Sequence, residues 1–436
     1  INTMGDIVIE KLDIKDLRFP TSRQKDGSDA MHTAPDYSCA YVIIHTNSIF
    51  KGYGLTFTLG KGTEIVVTAI RALENLVVGK NVEAIFKKFS TFWRNMTSDS
   101  QLRWIGPEKG VIHLATAAVI NGLWDLWARI QNKPVWKLLS DLSPEQLVST
   151  IDFRYITDSL TKAEAIDLLK KEIPFKKQRI NEIIKNGYPA YTTQVGWIGY
   201  SDDKIKQLCE KYLEQGFTAF KLKIGNNLEN DIKRCRMVRE TIGYENKLML
   251  DANQVWDVDV AIEWMKNFAE FKPTWIEEPT APDDILGHAT IARALDQYNI
   301  GVATGEMCAN RIIFKQLMQT NAIKYCQVDS ARVGGINELL SIYIMAKKFG
   351  VKVCPHAGGI GLCEMVQHLQ YWDYICLTGD MEDKWIEYVD QQHEHFKNPV
   401  VIIQGRYIPG QEPGYSCELH ETTFRKYEFP NGEVWK

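Results

Sequence analysis

The chain has 436 residues and a formal net charge of −4 at pH 7, with 45% hydrophobic and 24% charged residues. This length is enough for a large core and two domains, and the composition is that of an ordinary globular protein. The slightly acidic balance argues against a dedicated nucleic-acid binder, which would carry a basic face. The sequence contains no run of 18 apolar residues and therefore predicts no membrane span.

Nine cysteines are scattered along the chain without a C-x-x-C pair. An odd number of unpaired thiols is typical of a reduced, intracellular protein rather than of a disulfide-bonded secreted one. Residues 4–6 and their surroundings show neither the apolar core of a signal peptide nor the Arg-rich character of a transit peptide. We therefore expect an intracellular protein, and the choice between cytoplasm and mitochondrion stays open.

The first 146 residues predict a separate α+β domain. Residues 6–18 alternate apolar and polar side chains, which indicates a half-buried strand. Residues 19–38 lose all periodicity, and long loops in compact regions are often lids over a binding site. Two further strands (SCAYVIIHT and GYGLTFTL) precede helical patterns over 63–78, 81–95 and 107–130, the last apolar enough to be buried on most of its surface.

From residue 147 the pattern changes to alternating strands and helices. The predicted strands are LVSTIDF, TAFKLKI, KLMLDAN, TWIEEP, GVATGE, YCQVDS, VKVCPHA and WIEYV. Residues 155–190 do not fit this rhythm and are predicted to be a helical insertion. The repeat predicts a (β/α)₈ barrel over residues 147–395. The tail over 396–436 carries four prolines and is expected to return over the first domain.

Polar side chains end one predicted barrel strand after another, where such barrels keep their chemistry. Asp251, Glu277 and Glu306 close three consecutive strands. Three carboxylates cannot share a small site without compensation, and an all-oxygen ligand set indicates Mg²⁺. The alternative is that each carboxylate only caps a helix. Glu278 competes with Glu277, although the apolar Ile276 favours Glu277 as the inward residue.

Lys221 and Lys223 lie two apart on a strand, so both side chains point to one face. The apolar residues between and beside them fit the helix-facing side, which places the lysines in the barrel interior. Burial and mutual repulsion would lower their pKa towards that of a useful base. A solvated edge strand is the alternative.

Asp329 and His356 end the next two strands. A neighbouring carboxylate orients an imidazole and raises its pKa, which makes it an acid or a base near neutral pH. A single histidine is more often structural, but the sequence PHAGG places this one at a strand end before a small-residue loop.

The ordered set K-x-K, D-x-N, E-E-P, T-G-E, Asp and His resembles the enolase superfamily, in its mandelate racemase-type branch, over almost the whole chain. The resemblance implies a modified (β/α)₈ barrel with an N-terminal α+β capping domain. It implies Asp251, Glu277 and Glu306 as Mg²⁺ ligands, and a lysine base such as the superfamily uses with Mg²⁺. That base would be Lys223, with His356 as general acid oriented by Asp329. The substrate would be held by Gly27, Ser28, Asp29, Tyr37, Lys221, Asn253, Glu306 and Glu387.

The segments DAMHTAPDYS, CPHAGGIGLCE and PNGEVWK are similar to those of the L-fuconate dehydratases within this superfamily. This similarity implies a hydro-lyase that removes the C2 proton of L-fuconate, stabilises the enediolate with Mg²⁺ and expels the C3 hydroxyl. A dehydratase or epimerase for another aldonic or aldaric acid is the nearest alternative. A non-catalytic regulatory or RNA-associated protein is an alternative of a different class. The expected partner is a small acid sugar, with no nucleic acid and no membrane, and homo-oligomer formation stays open.

Overall fold

The structure is a computed structural model and describes residues 7–436. The first six residues lie outside the described part. They include residues 4–6, considered above for a targeting signal, and the first residue of the predicted strand 6–18.

The N-terminal domain begins with an antiparallel sheet of β1 (Ile9–Arg18), β2 (Ser38–Thr46) and β3 (Lys51–Thr58). Between β1 and β2 the chain forms a loop that contains only a short 3₁₀ turn at Thr21–Gln24. We call residues 19–37 the lid loop. The helices that follow are α1 (Thr63–Val77), α2 (Val82–Lys87), α3 (Phe89–Thr97), α4 (Gly110–Ile130), α5 (Val135–Asp141) and α6 (Pro144–Ser149).

Helix α4 crosses β3 at very short range. A Cβ atom on Gly54 would lie 2.1 Å from the carbonyl oxygen of Ala118 and 2.5 Å from the amide nitrogen of Gly122. Only glycine permits this approach of strand to helix. Among residues 7–436, α4 alone has the length and apolar composition of a membrane span, but it is buried over most of its length. It is the buried helix that the sequence predicted.

The second part of the chain forms a barrel of parallel strands with helices outside. The strands are β4 (Tyr188–Thr192), β5 (Ala219–Lys223), β6 (Lys247–Asp251), β7 (Trp275–Glu277), β8 (Gly301–Thr304), β9 (Tyr325–Cys326), β10 (Lys352–Val353) and β11 (Ile386–Tyr388). Neighbours in sequence pair in parallel from β4 to β10, and β11 pairs in parallel with β4. The connecting helices are α9 (Asp202–Glu214), α10 (Leu228–Ile242), α11 (Val258–Phe268), α12 (Ile285–Leu295), α13 (Arg311–Gln319), α14 (Ile336–Phe349) and α15 (Leu362–Asp373).

The register places the polar strand ends side by side. Lys223 lies opposite Asp251 in the β5–β6 pair, and Asp251 lies opposite Glu277 in the β6–β7 pair. Deeper in the barrel the inward positions are apolar and form a small core of their own: Tyr191, Ala219, Met249, Trp275, Ala303, Tyr325, Cys354 and Trp385. This layer closes the barrel beneath the polar residues, so the site can open only towards the capping domain.

The prediction of LVSTIDF as the first barrel strand is wrong. Residues 144–149 form α6 instead, because Ser143 and Gln146 make a reciprocal capping box and Pro144 occupies the first helical turn. The first barrel strand is β4, which begins inside the predicted helical insertion. Within that insertion, α7 (Lys162–Glu172) and α8 (Lys176–Asn186) are helical as expected. The domain limits 1–146, 147–395 and 396–436 stay a prediction.

The C-terminal tail has two parts. Strands β12 (Val401–Ile403) and β13 (Arg406–Ile408) form a hairpin whose second strand pairs antiparallel with β4. This part therefore extends the barrel sheet instead of crossing the first domain. Farther on, Tyr41 of β2 donates a hydrogen bond to the carbonyl oxygen of Cys417 at 2.8 Å, and α16 (Glu421–Tyr427) packs near β1.

Candidate active site

Three carboxylates converge at the ends of β6, β7 and β8. One oxygen from each of Asp251, Glu277 and Glu306 lies within 4.8 Å of the others. We call these three residues the acidic cluster. Glu278 points elsewhere and accepts a hydrogen bond from Gln254 at 2.6 Å, so Glu277 is the inward residue of the pair. The alternative that these three residues only cap helices does not fit their convergence.

Two lysines lie against the acidic cluster. The Lys221 ammonium is 2.6 Å from Glu277 Oε1 and 3.0 Å from Glu387 Oε1. The Lys223 ammonium is 2.6 Å from Asp251 Oδ2 and 3.0 Å from the side-chain oxygen of Asn253. Both lysines are buried and face the barrel interior, as the strand alternation predicted.

The prediction that the pKa values of Lys221 and Lys223 are lowered is wrong. Burial lowers the pKa of Lys223, but the carboxylates of Asp251, Asp29 and Glu306 together outweigh it, and the pKa lies above its ordinary value. Burial also lowers the pKa of Lys221, where Glu277, Glu387 and Asp251 together have the same opposing effect. The sequence argument considered the two lysines alone and omitted the carboxylates that the fold brings from other strands.

A histidine and an aspartate form a dyad on the other side of the acidic cluster. His356 Nδ1 is 2.6 Å from Asp329 Oδ2, and Asp329 Oδ1 accepts hydrogen bonds from the backbone of Ala331 and Arg332. His356 Nε2 lies 3.5 Å from Glu306 Oε2. Burial lowers the pKa of His356, but Glu306 and Asp329 outweigh this effect and raise it to about 9.

A cavity of about 330 Å³ lies between the barrel mouth and the capping domain. The barrel contributes Lys223, Asn253, Glu306, Asp329, His356 and Glu387, and the lid loop contributes Gly27, Asp29, His32, Pro35 and Tyr37. Base, acid and lid residues proposed from the sequence therefore share one cavity. Lys221, Asp251 and Glu277 are buried behind this lining. Lys221 contacts Glu387 and Asp251 contacts Lys223, both of which line the cavity, and Glu277 contacts Lys221.

Sequence profiles of two families match this chain. The profile described as mandelate racemase / muconate lactonizing enzyme, N-terminal domain, matches residues 20–140. The profile described as enolase C-terminal domain-like matches residues 204–423, which is half of the chain. The chain belongs to the enolase superfamily.

Relatives in the superfamily match over nearly their whole length. The human mitochondrial enolase superfamily member 1 is 57% identical over 430 residues, which cover 98% of this chain and 97% of that protein. The L-galactonate dehydratase of Hypocrea jecorina is 50% identical over 437 residues, with 99% and 97% covered. The compartment of this chain stays a prediction.

Solved structures of the superfamily confirm the predicted fold of barrel and capping domain. The crystal structure of the human mitochondrial enolase superfamily member 1 superposes with a TM-score of 0.98 at 56% identity and covers 100% of this chain and 99% of its own. The L-talarate/galactarate dehydratase of Salmonella typhimurium, liganded with Mg and L-lyxarohydroxamate, has a TM-score of 0.72 at 25% identity, with 96% and 92% covered.

The acidic cluster of this chain also fits Mg²⁺. Its donors are all carboxylate oxygens, which suit Mg²⁺, and Glu306 Oε2 is buried without a hydrogen-bond partner. Burial and then the charge of Asp251 raise the pKa of Glu277 to about 8. The carboxylates thus resist ionising together, and a divalent cation among them would remove that conflict.

The lid loop is held by its own polar groups. Asp29 accepts hydrogen bonds from the backbone of Met31 at 2.8 Å and of His32 at 2.6 Å, and its second oxygen is 3.0 Å from His32 Nδ1. Gly27 has a φ of +84°, and a Cβ there would lie 2.5 Å from the ring of Tyr37. Only glycine fits this position. The lid loop is therefore shaped to present Asp29 and Tyr37 to the cavity.

Two predicted substrate contacts, Ser28 and Lys221, do not line the cavity, and several residues that do line it were missed. The Ser28 hydroxyl donates to the Thr33 carbonyl at 3.2 Å, and Ser28 is absent from the cavity lining. Trp197, His32 and Arg332 line the cavity without having been predicted. Trp197 follows β4, which the sequence analysis misplaced, and a correct first strand would have drawn attention to it. For His32, the available signal was its place in the polar segment DAMHTAPDYS of the lid loop.

Proposed function

We propose that this chain is a Mg²⁺-dependent acid-sugar dehydratase, a carbon–oxygen lyase, and that its substrate is L-fuconate. One observation carries the proposal. Lys223 at the end of β5 and the Asp329–His356 dyad beyond β9 and β10 line the same cavity, with the acidic cluster of β6 to β8 between them. An amine and an imidazole at two sides of a carboxylate-rich metal site suit proton removal at one carbon and proton delivery at the next.

Lys223 is the proposed base for the C2 proton. Asp251, Glu277 and Glu306 would hold Mg²⁺, which when bound supplies stabilisation for the negative charge that develops on the substrate carboxylate. Lys221 contributes a second positive charge at this end of the cavity, since its ammonium contacts both Glu277 and Glu387. Asn253, 3.0 Å from the Lys223 ammonium, orients the base.

His356 is the proposed general acid for the leaving C3 hydroxyl. Asp329 holds Nδ1 at 2.6 Å, which leaves Nε2 on the side of Glu306 and the cavity. A proton given from Nε2 to the hydroxyl lets it depart as water, and the resulting enol tautomerises to a 2-keto-3-deoxy acid. Glu387 fixes the following turn by accepting the Ala357 amide at 2.8 Å.

The choice of L-fuconate is supported by a relative and by the cavity wall. The 50% identical relative is named L-galactonate dehydratase. L-fuconate is the 6-deoxy form of L-galactonate, so the two acids have the same configuration at C2 to C5. The capping-domain wall of the cavity is largely apolar, with Thr58 and Lys61 as its polar residues beside Phe57, Leu59, Ile65, Val66, Val111 and Leu114. A C6 methyl group suits this wall, whereas a C6 hydroxyl facing it would lose hydrogen bonds to water.

The test is a panel of acid sugars assayed with Mg²⁺ and with excess EDTA. L-fuconate, L-galactonate, D-arabinonate and galactarate are offered, and 2-keto-3-deoxy products are measured. We expect L-fuconate to give the highest kcat/KM and EDTA to abolish turnover. A C2 epimer in the proton NMR spectrum, without keto acid, would instead identify an epimerase. No reaction with any acid would favour a non-catalytic protein.

A further inference from the structure

The guanidinium of Arg332 lies in the cavity wall and forms no ion pair with any residue from 7 to 436. Its Nε donates to the backbone carbonyl of Glu306 at 3.2 Å, and its Nη2 contacts the sulfur of Met307 at 3.0 Å. Neither acceptor carries a charge, and a thioether is a weak acceptor. A guanidinium has five N–H donors, so most of the hydrogen-bonding capacity of Arg332 is free for a ligand in the cavity that it lines.

The loop that carries Arg332 is fixed by the capping domain. Thr56 donates to the Ala331 carbonyl at 2.7 Å, Asn121 to the Ser330 carbonyl at 2.9 Å and Trp93 to the Gly334 carbonyl at 2.7 Å. The backbone of Arg332 itself donates to Asp329. An arginine on so restrained a loop is pre-organised, which reduces the entropy cost of the contacts it makes.

Its position relative to the proposed chemistry indicates which part of a substrate it meets. The acidic cluster receives the carboxylate end and His356 serves C3, so the remaining carbons must extend towards the capping domain. Arg332 directly follows Ala331, whose carbonyl is bonded to Thr56 of the capping domain, so Arg332 lines the cavity on the capping-domain side. It therefore borders the part of the cavity that lies beyond the reacting carbons.

We propose that Arg332 determines specificity by donating hydrogen bonds to hydroxyl groups beyond C3 of the acid sugar. The inference rests on the proposed function and deepens it. Arg332 would bind neither reacting carbon, so it should affect affinity for long acids and leave the chemical step intact. An arginine suits this role because its planar donors can contact two neighbouring hydroxyls at once.

The experiment is a comparison of Arg332→Met with wild type across acids of decreasing length. D-arabinonate keeps C2 to C4 of L-fuconate, D-threonate keeps C2 and C3 with one further carbon, and L-glycerate keeps only the reacting carbons. We measure KM and kcat for L-fuconate and the inhibition constants of the shorter acids. Loss of a charged hydrogen bond should raise KM and the D-arabinonate constant roughly 10- to 100-fold. The L-glycerate constant and kcat should change less than about threefold, because neither involves distal hydroxyls.

Two further variants separate recognition from structure. Arg332→Lys keeps a donor and should recover part of the lost affinity, and Arg293→Met, on the exposed surface of α12, should behave as wild type. An equal loss for every acid, or a fall in kcat alone, would mean that Arg332 only supports Glu306 and would overturn the inference. Wild-type protein without turnover of any acid sugar would instead overturn the proposed function, and this inference with it.

Discussion

Among single residues, Glu306 differs from its two partners in the acidic cluster. Asp251 and Glu277 each contact a lysine at 2.6 Å. Glu306 Oε2 is buried without a hydrogen-bond partner in the part of the chain that the structure describes, and it lies 3.5 Å from His356 Nε2. Glu306 also lines the cavity, while Asp251 and Glu277 lie behind it. It is therefore the carboxylate of the acidic cluster that a cation entering from the cavity meets first.

Glu306→Gln should weaken Mg²⁺ binding by more than tenfold, because it removes an anionic ligand. Even the loss of a residue that only hydrogen-bonds to a metal ligand lowers metal affinity about 10- to 100-fold. Titration calorimetry with Mg²⁺ measures this directly, without any substrate. Glu263→Gln, a matched change on the exposed side of α11, should bind as wild type. Unchanged Mg²⁺ affinity in Glu306→Gln would remove this residue from the metal site.

The two proton-transfer residues should separate by mutation, because Lys223 and His356 lie on different strands of the barrel mouth. His356→Asn cannot donate a proton as an imidazolium and should lose dehydration by roughly 10²- to 10⁴-fold. It should still exchange the substrate C2 hydrogen in D₂O, since Lys223 and the acidic cluster remain. Lys223→Ala should lose both reactions. NMR of recovered substrate decides, and exchange that survives only in Lys223→Ala would reverse the two roles.

These residues show what a sequence can predict about a site and where it stops. A polar side chain at the end of an apolar strand is a local signal, and it was enough to place Lys223, Asp251, Glu277 and His356 together at the barrel mouth. The lysine pKa values were wrong because they depend on charges from several strands. Arg332 lies in an aperiodic loop, and only the folded structure shows that its guanidinium has no charged partner.

At the scale of elements, the barrel order was predictable because each strand carries an apolar run, and β5 to β11 lie within the segments predicted as strands. The error at LVSTIDF arose because β-branched residues favour a strand while the preceding capping box favours a helix, and the helix won. β4 was missed because its five residues include Pro189. Short strands beside a proline give little periodic signal.

Three elements meet at a buried neutral histidine far from the acidic cluster. His368 of α15 accepts the backbone N–H of Trp136 in α5 at Nδ1 and contacts the Ser416 hydroxyl of the tail through Nε2 at 2.9 Å. Burial lowers the pKa of His368 to about 3. With Nδ1 as acceptor, the neutral ring carries its proton on Nε2, so protonation would break the bond to Trp136.

This histidine should make stability fall below neutral pH. The pKa of His368 is lower in the folded protein than in the unfolded chain, so the unfolded chain binds more protons between about pH 6.5 and 3. The contribution of His368 to stability is therefore complete above about pH 6.5 and is lost as the pH falls through this range. The free energy of unfolding should decline by about 1.4 kcal/mol for each pH unit below about 6.5 from this residue. Urea unfolding of wild type and His368→Gln at several pH values measures it. The variant should show a shallower slope by this amount, and parallel slopes would contradict the assignment.

At the scale of the whole molecule, a buried ionic network joins the two domains. Arg311 at the start of α13 is 3.3 Å from both Glu108 of the capping domain and Glu338 of α14. Glu338 in turn is 2.6 Å from His113 of α4. Glu338 also accepts the backbone N–H of Gly334, and Trp93 of the capping domain donates to the Gly334 carbonyl. Because Gly334 belongs to the loop that carries Arg332, the network connects domain packing with the shape of the cavity.

Arg311→Met should therefore destabilise the protein as a whole. Removing one partner of a buried charge pair costs about 3–5 kcal/mol when the remaining charge is left without compensation. Two carboxylates, Glu108 and Glu338, face the vacated position. Because Arg154 still contacts Glu108 and His113 still contacts Glu338, we expect a loss near the lower end of that range. Arg236→Met is the matched control on α10: Arg236 and its partner Glu270 are each more than half exposed, and such pairs contribute about 0–1 kcal/mol. Chemical unfolding of both variants gives the comparison. A loss in Arg311→Met no larger than that in Arg236→Met would show that this ionic network does not hold the domains together.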